Sequence, residues 1–396
     1  MAAIEPLRSD PPRTHLLNDP RYRGYFYQVV VTVAVIAFFL WIIQNTVANL
    51  TAQNKTMGFD FLWKTSGFNV SFSLFPFDRA SYYWEAFLVG ITNTLLVSVI
   101  GIFFATVIGF VLGIARLSSN WIIARMATIY IEVVRNIPLL LQLFFWYFAV
   151  LKTMPAVKQS HVFFDVFVLN QRGLWVPQPL PDARFWWVII AALIAVVFGL
   201  VLRGWARKRM EATGERFPVF LTFLGVFIVL PTIVWFVSGA HLDWDSPVLK
   251  GFNYVGGIEL PPEFVALVFG LSIYTAAFIA EIVRAGILAV NRGQTEAAEA
   301  LGLRDNDRLR LVVIPQAMRV IIPPLTSQYL NLTKNSSLGA AIGFPELVNV
   351  FTGTTLNQTG RAVEVIALTM AVYLTLSLTT SAIMNWYNAR VALVER

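Results

Sequence analysis

The chain has no cysteine in its 396 residues. That excludes disulfides, thiolate catalysis and Cys-ligated metal sites, and leaves the redox compartment undetermined. Its three histidines, His15, His161 and His241, lie far apart in the sequence and give no metal cluster or triad. No Gly-Lys pair occurs anywhere, so the GxxxxGK[ST] loop that cradles nucleotide phosphates is absent, as are HExxH and GxSxG. The expectation is no catalysis and no cofactor on this chain, with any ATP bound elsewhere. Charge is also scarce. Only 13% of residues are Asp, Glu, Lys or Arg against 57% hydrophobic, and the mean hydropathy is +0.65. A water-facing surface needs more charge than that, so the composition is that of an integral membrane protein.

Long apolar runs take the place of charge. A helix needs about 20 mostly apolar residues to cross the hydrocarbon core, and uncharged runs at 25–43, 86–115, 185–202, 217–240 and 365–384 meet or approach that length. Three less clean stretches bring the count to eight: 136–151 is short, 264–280 runs into Glu281 and Arg284, and about 315–343 contains Arg319, Pro323, Pro324 and Lys334. The expected fold class is all-α, a polytopic membrane protein with about eight transmembrane helices. The first run follows a polar, Pro-containing stretch and is longer than a signal-peptide core, so it reads as a retained span.

Lysine and arginine orient these spans. With the N-terminus inside, the inner pieces carry 17 Lys and Arg, including five in 203–216 and four in 287–310, while the longer outer loops carry nine. This asymmetry follows the positive-inside rule and places both termini in the cytoplasm. It accounts for the net charge of +7 without nucleic acid. The outer loops 45–85 and 152–184 are rich in aromatics, including "SYYW" and "RFWW", as expected at a membrane interface.

One inner loop stands out. In "QTEAAEALG", 294–302, Thr295 can cap a helix whose first turn carries Glu296, and Gly302 can take the left-handed conformation that stops it. Ala297, Ala298 and Leu301 form a small apolar face, and Pro315 suits the start of the next span. A helix of about two turns is marginal alone, because nucleation costs more than so few hydrogen bonds return. Something must hold it. A surface loop of good helix formers is the plain alternative.

The stretch resembles the "EAA" loop of permease subunits of ABC importers: Glu-Ala-Ala, three residues, Gly, nine residues, then Ile-x-Leu-Pro. Glu296, Ala297, Ala298 and Gly302 match, and the tail stands as Val312, Val313, Ile314 and Pro315, other aliphatics replacing Ile and Leu. The resemblance implies a coupling helix, with Leu301 on its face, seated on a cytoplasmic ATPase. Further segments are similar to the polar amino-acid branch of that family. They are "GITNTLLVS" (90–98), "GFVLGIARLS" (109–118), "YIEVVRNIPLLLQLFF" (130–145), "YTAAFIAEIVRAGI" (274–287), "IPQAMRVIIPPL" (314–325) and "KNSSLGAAIG" (334–343). Asn136 and Ile137 stand where Gly-Thr is common.

The resemblance implies a five-helix type I permease core in two parts, 86–151 and 264–385, the second containing the coupling loop 287–315. Around it lie a tail at 1–24, an extra span with an outer loop at 25–85, an insertion with two extra spans at 152–263, and a tail at 386–396. This larger build is similar to the long permease subunit of general L-amino acid importers. Such a subunit implies a different second permease, a dimer of ATP-binding cassette subunits carrying ATP and Mg, a periplasmic amino-acid-binding protein, and a bacterial inner membrane. The extra spans read as peripheral packing.

Polar groups within spans are costly and face a cavity or a partner. An amino-acid zwitterion needs an acceptor for its ammonium, which Glu281 suits, and donors for its carboxylate, which Lys334, Asn335, Ser336 and Ser337 suit. Glu281 and Arg284, three apart on one helix face, can equally pair with each other. Asn93, Thr94, Ser98 and Gln142 are further pathway candidates, or interhelical glue. A rival reading is a self-sufficient ion-coupled secondary transporter. The intramembrane Glu281 and broken helices favour it, but the EAA spacing is left unexplained.

Overall fold

The computed structural model describes residues 20–52, 58–215 and 217–391, so most of the expected tail at 1–24 lies outside it, while the first six residues of the expected tail at 386–396 belong to the last long helix. The long helices are α1 (Pro20–Ala52), α2 (Tyr83–Ala115), α3 (Trp121–Asn136), α4 (Leu139–Phe144), α5 (Phe185–Thr213), α6 (Val219–Ser238) and α7 (Pro262–Leu288), followed by short α8 (Arg292–Ala300) and α9 (Asp305–Arg308). Then come α10 (Ile314–Asn335), short α11 (Leu356–Thr359) and α12 (Ala362–Val391). Seven described helices are long and apolar enough to cross a membrane, and the bent α3 and α4 pair makes an eighth span.

The core joins α2, α4, α7 and α10, with Val97, Leu143, Leu271, Ile279, Ile321 and Leu332 all but fully buried. Apolar side chains gain little by leaving lipid, so close backbone approach must do the joining. Two glycines four apart on α2 supply it. A Cβ at Gly109 would stand 2.6 Å from Ile279 Cβ, and one at Gly113 would stand 2.7 Å from the Ala280 carbonyl oxygen. In sequence "GFVLG" is therefore the seam on which α7 lies parallel to α2.

The short expected span 136–151 is only the second arm of a bent crossing. The first arm, α3, carries Arg125, Glu132 and Arg135 and so escaped a search for uncharged runs. The two arms meet at 104°. Ile137 is extended because it precedes Pro138, which ends α3. Gln142 Nε2 donates to the carbonyls of Val134 and Ile137, both at 2.9 Å, satisfying acceptors that the break exposes.

The expectation of an all-helical chain holds for the spans, but the connections on either side of the α5 and α6 pair also contain eight short strands. These are β1 (His161–Phe163), β2 (Phe167–Asn170), β3 (Gly173–Val176), β4 (Gln178–Pro181), β5 (Leu242–Asp245), β6 (Val248–Lys250), β7 (Asn253–Val255) and β8 (Ile258–Leu260). A four-stranded antiparallel sheet runs β1-β2-β3-β8, β4 pairs antiparallel with β5 across the two helices between them, and β6 and β7 form a hairpin. The strands stitch together the two connections that flank α5 and α6. This is the sheet end of the molecule; α8 lies at the opposite end. A clamp anchors the turn at Gly58–Asp60. Arg361 reaches Asp60 at 2.9 Å and the Gly58 carbonyl at 3.2 Å, while the Gly58 amide donates to Glu364 at 2.6 Å. Burial pushes the Asp60 carboxyl up, but the charges of Arg361 and Lys64 outweigh it and hold the group below its ordinary value.

Candidate functional site

The short helix at the end away from the sheets is longer than expected. Asn291, extended at φ −61° and ψ 135°, accepts the Gly293 amide at 2.8 Å and caps α8. Thr295 is therefore interior rather than the cap, and Glu296 is at mid-helix rather than in the first turn. Asn ranks above Thr as an N-cap, and starting four residues earlier adds a full turn to a marginal helix. The stop is as expected. Gly302 is left-handed at φ +75°, its amide bonds the Glu299 carbonyl at 2.9 Å, and the Leu303 amide reaches back to the Ala298 carbonyl at 3.1 Å. That pair of bonds is the Schellman motif.

Part of what holds this helix is its own chain. Arg308 grips Glu299 and also Asp305 at 3.1 Å, and Gln316 donates to Gln294 at 3.2 Å. The expected apolar face is split. Ala298 is 3% exposed, whereas Ala297 is exposed and Leu301 is 80% exposed. Glu296 also points outward. Pro315 stands in the first turn of α10, as expected, although short helical turns from Asp305 lead into it without a gap. The widened π turn at Leu309–Val313 just before it accommodates a residue without an amide hydrogen.

Glu281 takes the paired role among its two expected ones. Arg284 binds one carboxylate oxygen through Nη2 at 2.6 Å and Nε at 3.0 Å, and Arg116 binds the other. Arg116 in turn lies 3.8 Å from Glu132. This chain of charges ties α7 and α3 to the end of α2. With both oxygens on guanidinium groups, Glu281 offers little to a substrate ammonium.

The remaining pathway candidates separate into two groups. Ser336 and Ser337 donate to the Thr333 and Lys334 carbonyls at 2.7 Å each, finishing α10 as it tightens into a 3-10 turn over Ser336–Ile342. Ser98 donates to the Thr94 carbonyl at 2.7 Å. Asn93 Nδ2 donates to the carbonyls of Phe72 at 3.0 Å and Pro345 at 2.9 Å, while its Oδ1 is buried without a partner. Lys334 and Asn335 are different: neither side chain has a partner among the described residues, and Lys334 is exposed. Nearby, Asn349, Thr352 and Thr354 line an open hollow of about 350 Å³.

Residues 195–393 match the family described as binding-protein-dependent transport system inner membrane component. The chain belongs to that family. It is a multi-pass inner membrane permease subunit. Over 380 residues the permease is 52% identical to the general L-amino acid transport system permease protein AapQ of Rhizobium johnstonii, covering 96% of this chain and 95% of the relative. It is 49% identical over 378 residues to the putative amino-acid ABC transporter permease protein YhdX of Escherichia coli K12, covering 96% of each. It is also 40% identical over 426 residues to the glutamate/glutamine/aspartate/asparagine transport system permease protein BztB of Rhodobacter capsulatus, covering 98% of this chain and all of the relative. All three relatives are named as permease proteins of transport systems, one of them as an ABC transporter, and none of the names supports the ion-coupled alternative.

One residue of the permease core went unread in the sequence. Glu346 is fully buried, accepts the amides of Val348 and Asn349 at 2.8 Å each, and receives the Tyr373 hydroxyl at 3.2 Å. It starts the helical turn that Thr94 also holds, by accepting the Leu347 amide at 3.1 Å. A carboxylate two and three residues before these amides is a helix-start signal, and "PEL" at 345–347 carries it.

Proposed function

We propose that this chain is half of the translocation pathway of an ATP-driven importer of L-amino acids. The other half is a second, different permease. A dimer of ATP-binding cassette subunits, holding ATP and Mg, seats on α8, and a periplasmic amino-acid-binding protein delivers substrate at the sheet end. The N- and C-termini are cytoplasmic, the orientation in which the arginine-rich end carrying α8 lies inside. The substrate class rests on the relatives, one of which is a general L-amino acid permease and another a permease for glutamate, glutamine, aspartate and asparagine.

The observation that carries the coupling role is the division of α8 into a held side and a free side. Glu299, Gln294 and Ala298 bind it to its own chain, and Leu301 stands 80% exposed on a surface that meets no lipid in this orientation. An exposed leucine beside small alanines suits a groove on another protein. In this reading the loop 287–315 moves as one piece with the helical segment to Ile342, so closure of the ATPase reaches the spans directly. Lys334 and Asn335, without a partner among the described residues, are the pathway groups best placed to take a substrate carboxylate, whereas Glu281, Asn93, Gln142, Ser336 and Ser337 serve the scaffold.

The test is reconstitution. The complete transporter in liposomes takes up L-amino acids only when ATP and the binding protein are supplied. Uptake by this chain alone under an ion gradient contradicts the proposal.

A further inference from the structure

The two extra spans α5 and α6 are more than packing. They form an antiparallel pair that approaches tightly at Gly199, where a Cβ would stand 2.3 Å from the ring of Phe223. From that contact toward the α8 end an apolar groove of about 550 Å³ opens between the helices, walled by Leu200, Val219, Phe220 and Phe223. A second hollow of about 280 Å³ continues it and shares Arg203 and Val219 with the first. Arg203 therefore sits where the apolar groove meets its polar mouth. It lies eighteen residues after Phe185, or roughly 27 Å along the helix at 1.5 Å per residue, close to the ~30 Å thickness of the hydrocarbon core.

The charges at the mouth are unequal in their commitments. Arg207 pairs with Glu211 at 3.1 Å, and Arg209 pairs with Glu215 at 2.9 Å while lying 5.5 Å over the Trp205 ring. Arg203, which lines both hollows, has no partner among the described residues. An unpaired guanidinium at the edge of hydrocarbon is costly unless an anion meets it, and its planar fork suits a phosphate. The flanks of the groove face lipid: Leu200, Phe220 and Leu221 are 67%, 71% and 68% exposed, and α6 buries no residue at all.

We infer that the α5 and α6 pair binds an anionic phospholipid, its acyl chain in the groove over Gly199 and Phe223 and its phosphate on Arg203. Basic pockets between spans at the inner face are suited to such headgroups. The leaflet is the inner one if the orientation proposed above holds; binding itself does not depend on it, nor on the transport reading.

The test uses the full chain, purified in detergent, stripped of lipid and titrated while bound lipid is read by native mass spectrometry. Phosphatidylglycerol is retained, whereas phosphatidylcholine with the same acyl chains and free glycerol phosphate are not. Arg203→Gln weakens retention at least tenfold; Arg184→Gln, at the other end of the same pair, leaves it unchanged. Because the chain has no cysteine, Leu200→Cys gives a single labelling site in which a fluorophore is quenched by brominated phosphatidylglycerol, independently of any Arg203 variant. Equal binding of both lipids, binding of glycerol phosphate alone, or wild-type retention by Arg203→Gln overturns the inference. So does a cross-link from residue 200 to another protein in the assembled transporter, which would make the groove an interface between chains.

Discussion

Glu281 and Glu346 are both carboxylates at membrane depth, and their partners set them different tasks. Glu281 is neutralised by two guanidinium groups from different elements, so removing its charge leaves two cations facing each other. Glu281→Gln is expected to lower stability in detergent by about 2 kcal/mol, the scale of a lost charged hydrogen bond. The double variant with Arg116→Gln should cost less than the sum of the singles. Thermal unfolding of the three variants checks this; additive effects would show that the pair is not coupled. Glu346 acts through hydrogen bonds to backbone amides. Glu346→Ala orphans two buried donors and should cost roughly 2–4 kcal/mol, whereas Glu346→Gln keeps an acceptor and should cost about half as much. Equal loss in the two variants would mean that the charge, not the cap, matters.

The helix α8 is where the sequence was most informative, and where element boundaries slipped. The stop at Gly302 was legible because a left-handed stop has few alternatives. The start was not, because Asn291 and Thr295 are both good caps and only packing decides between them. Other features were hidden for physical reasons. Strands of three and four residues at 161–181 and 242–260 are too short to show alternation. The run 136–151 read only as a short span, because the first arm of the bent crossing carries charges that mask it. Arg116, an unremarked loop residue, proved to be the second partner of Glu281, a contact across 165 residues that no local pattern encodes. At this scale two variants bear on coupling. Gly302→Val forces a β-branched residue into φ +75° at a cost of about 1–2 kcal/mol. Membrane insertion should be normal and ATP-driven uptake impaired; normal uptake would count against the stop as part of the coupling element. Glu296→Lys, on the exposed side, should weaken ATPase association in a pull-down, and unchanged binding would remove that residue from the interface.

For the whole molecule, the family follows from the match over 195–393 and from relatives that cover nearly all of the chain. The segment from Asp305 to Ile342 packs beside the parallel seam of α2 and α7 and carries the polar cluster around Lys334. In the proposed reading a push on α8 reaches that segment through Arg308 and Gln316. The sheets at the other end tie the two connections that flank α5 and α6 to α7. The most direct measurement is a cross-link from Leu301→Cys, the only cysteine in the chain, in the intact transporter. The account predicts that it captures the ATP-binding subunit, with an efficiency that changes when ATP is bound. A residue 301 that stays freely labelled in the assembled complex and captures no ATPase would contradict it.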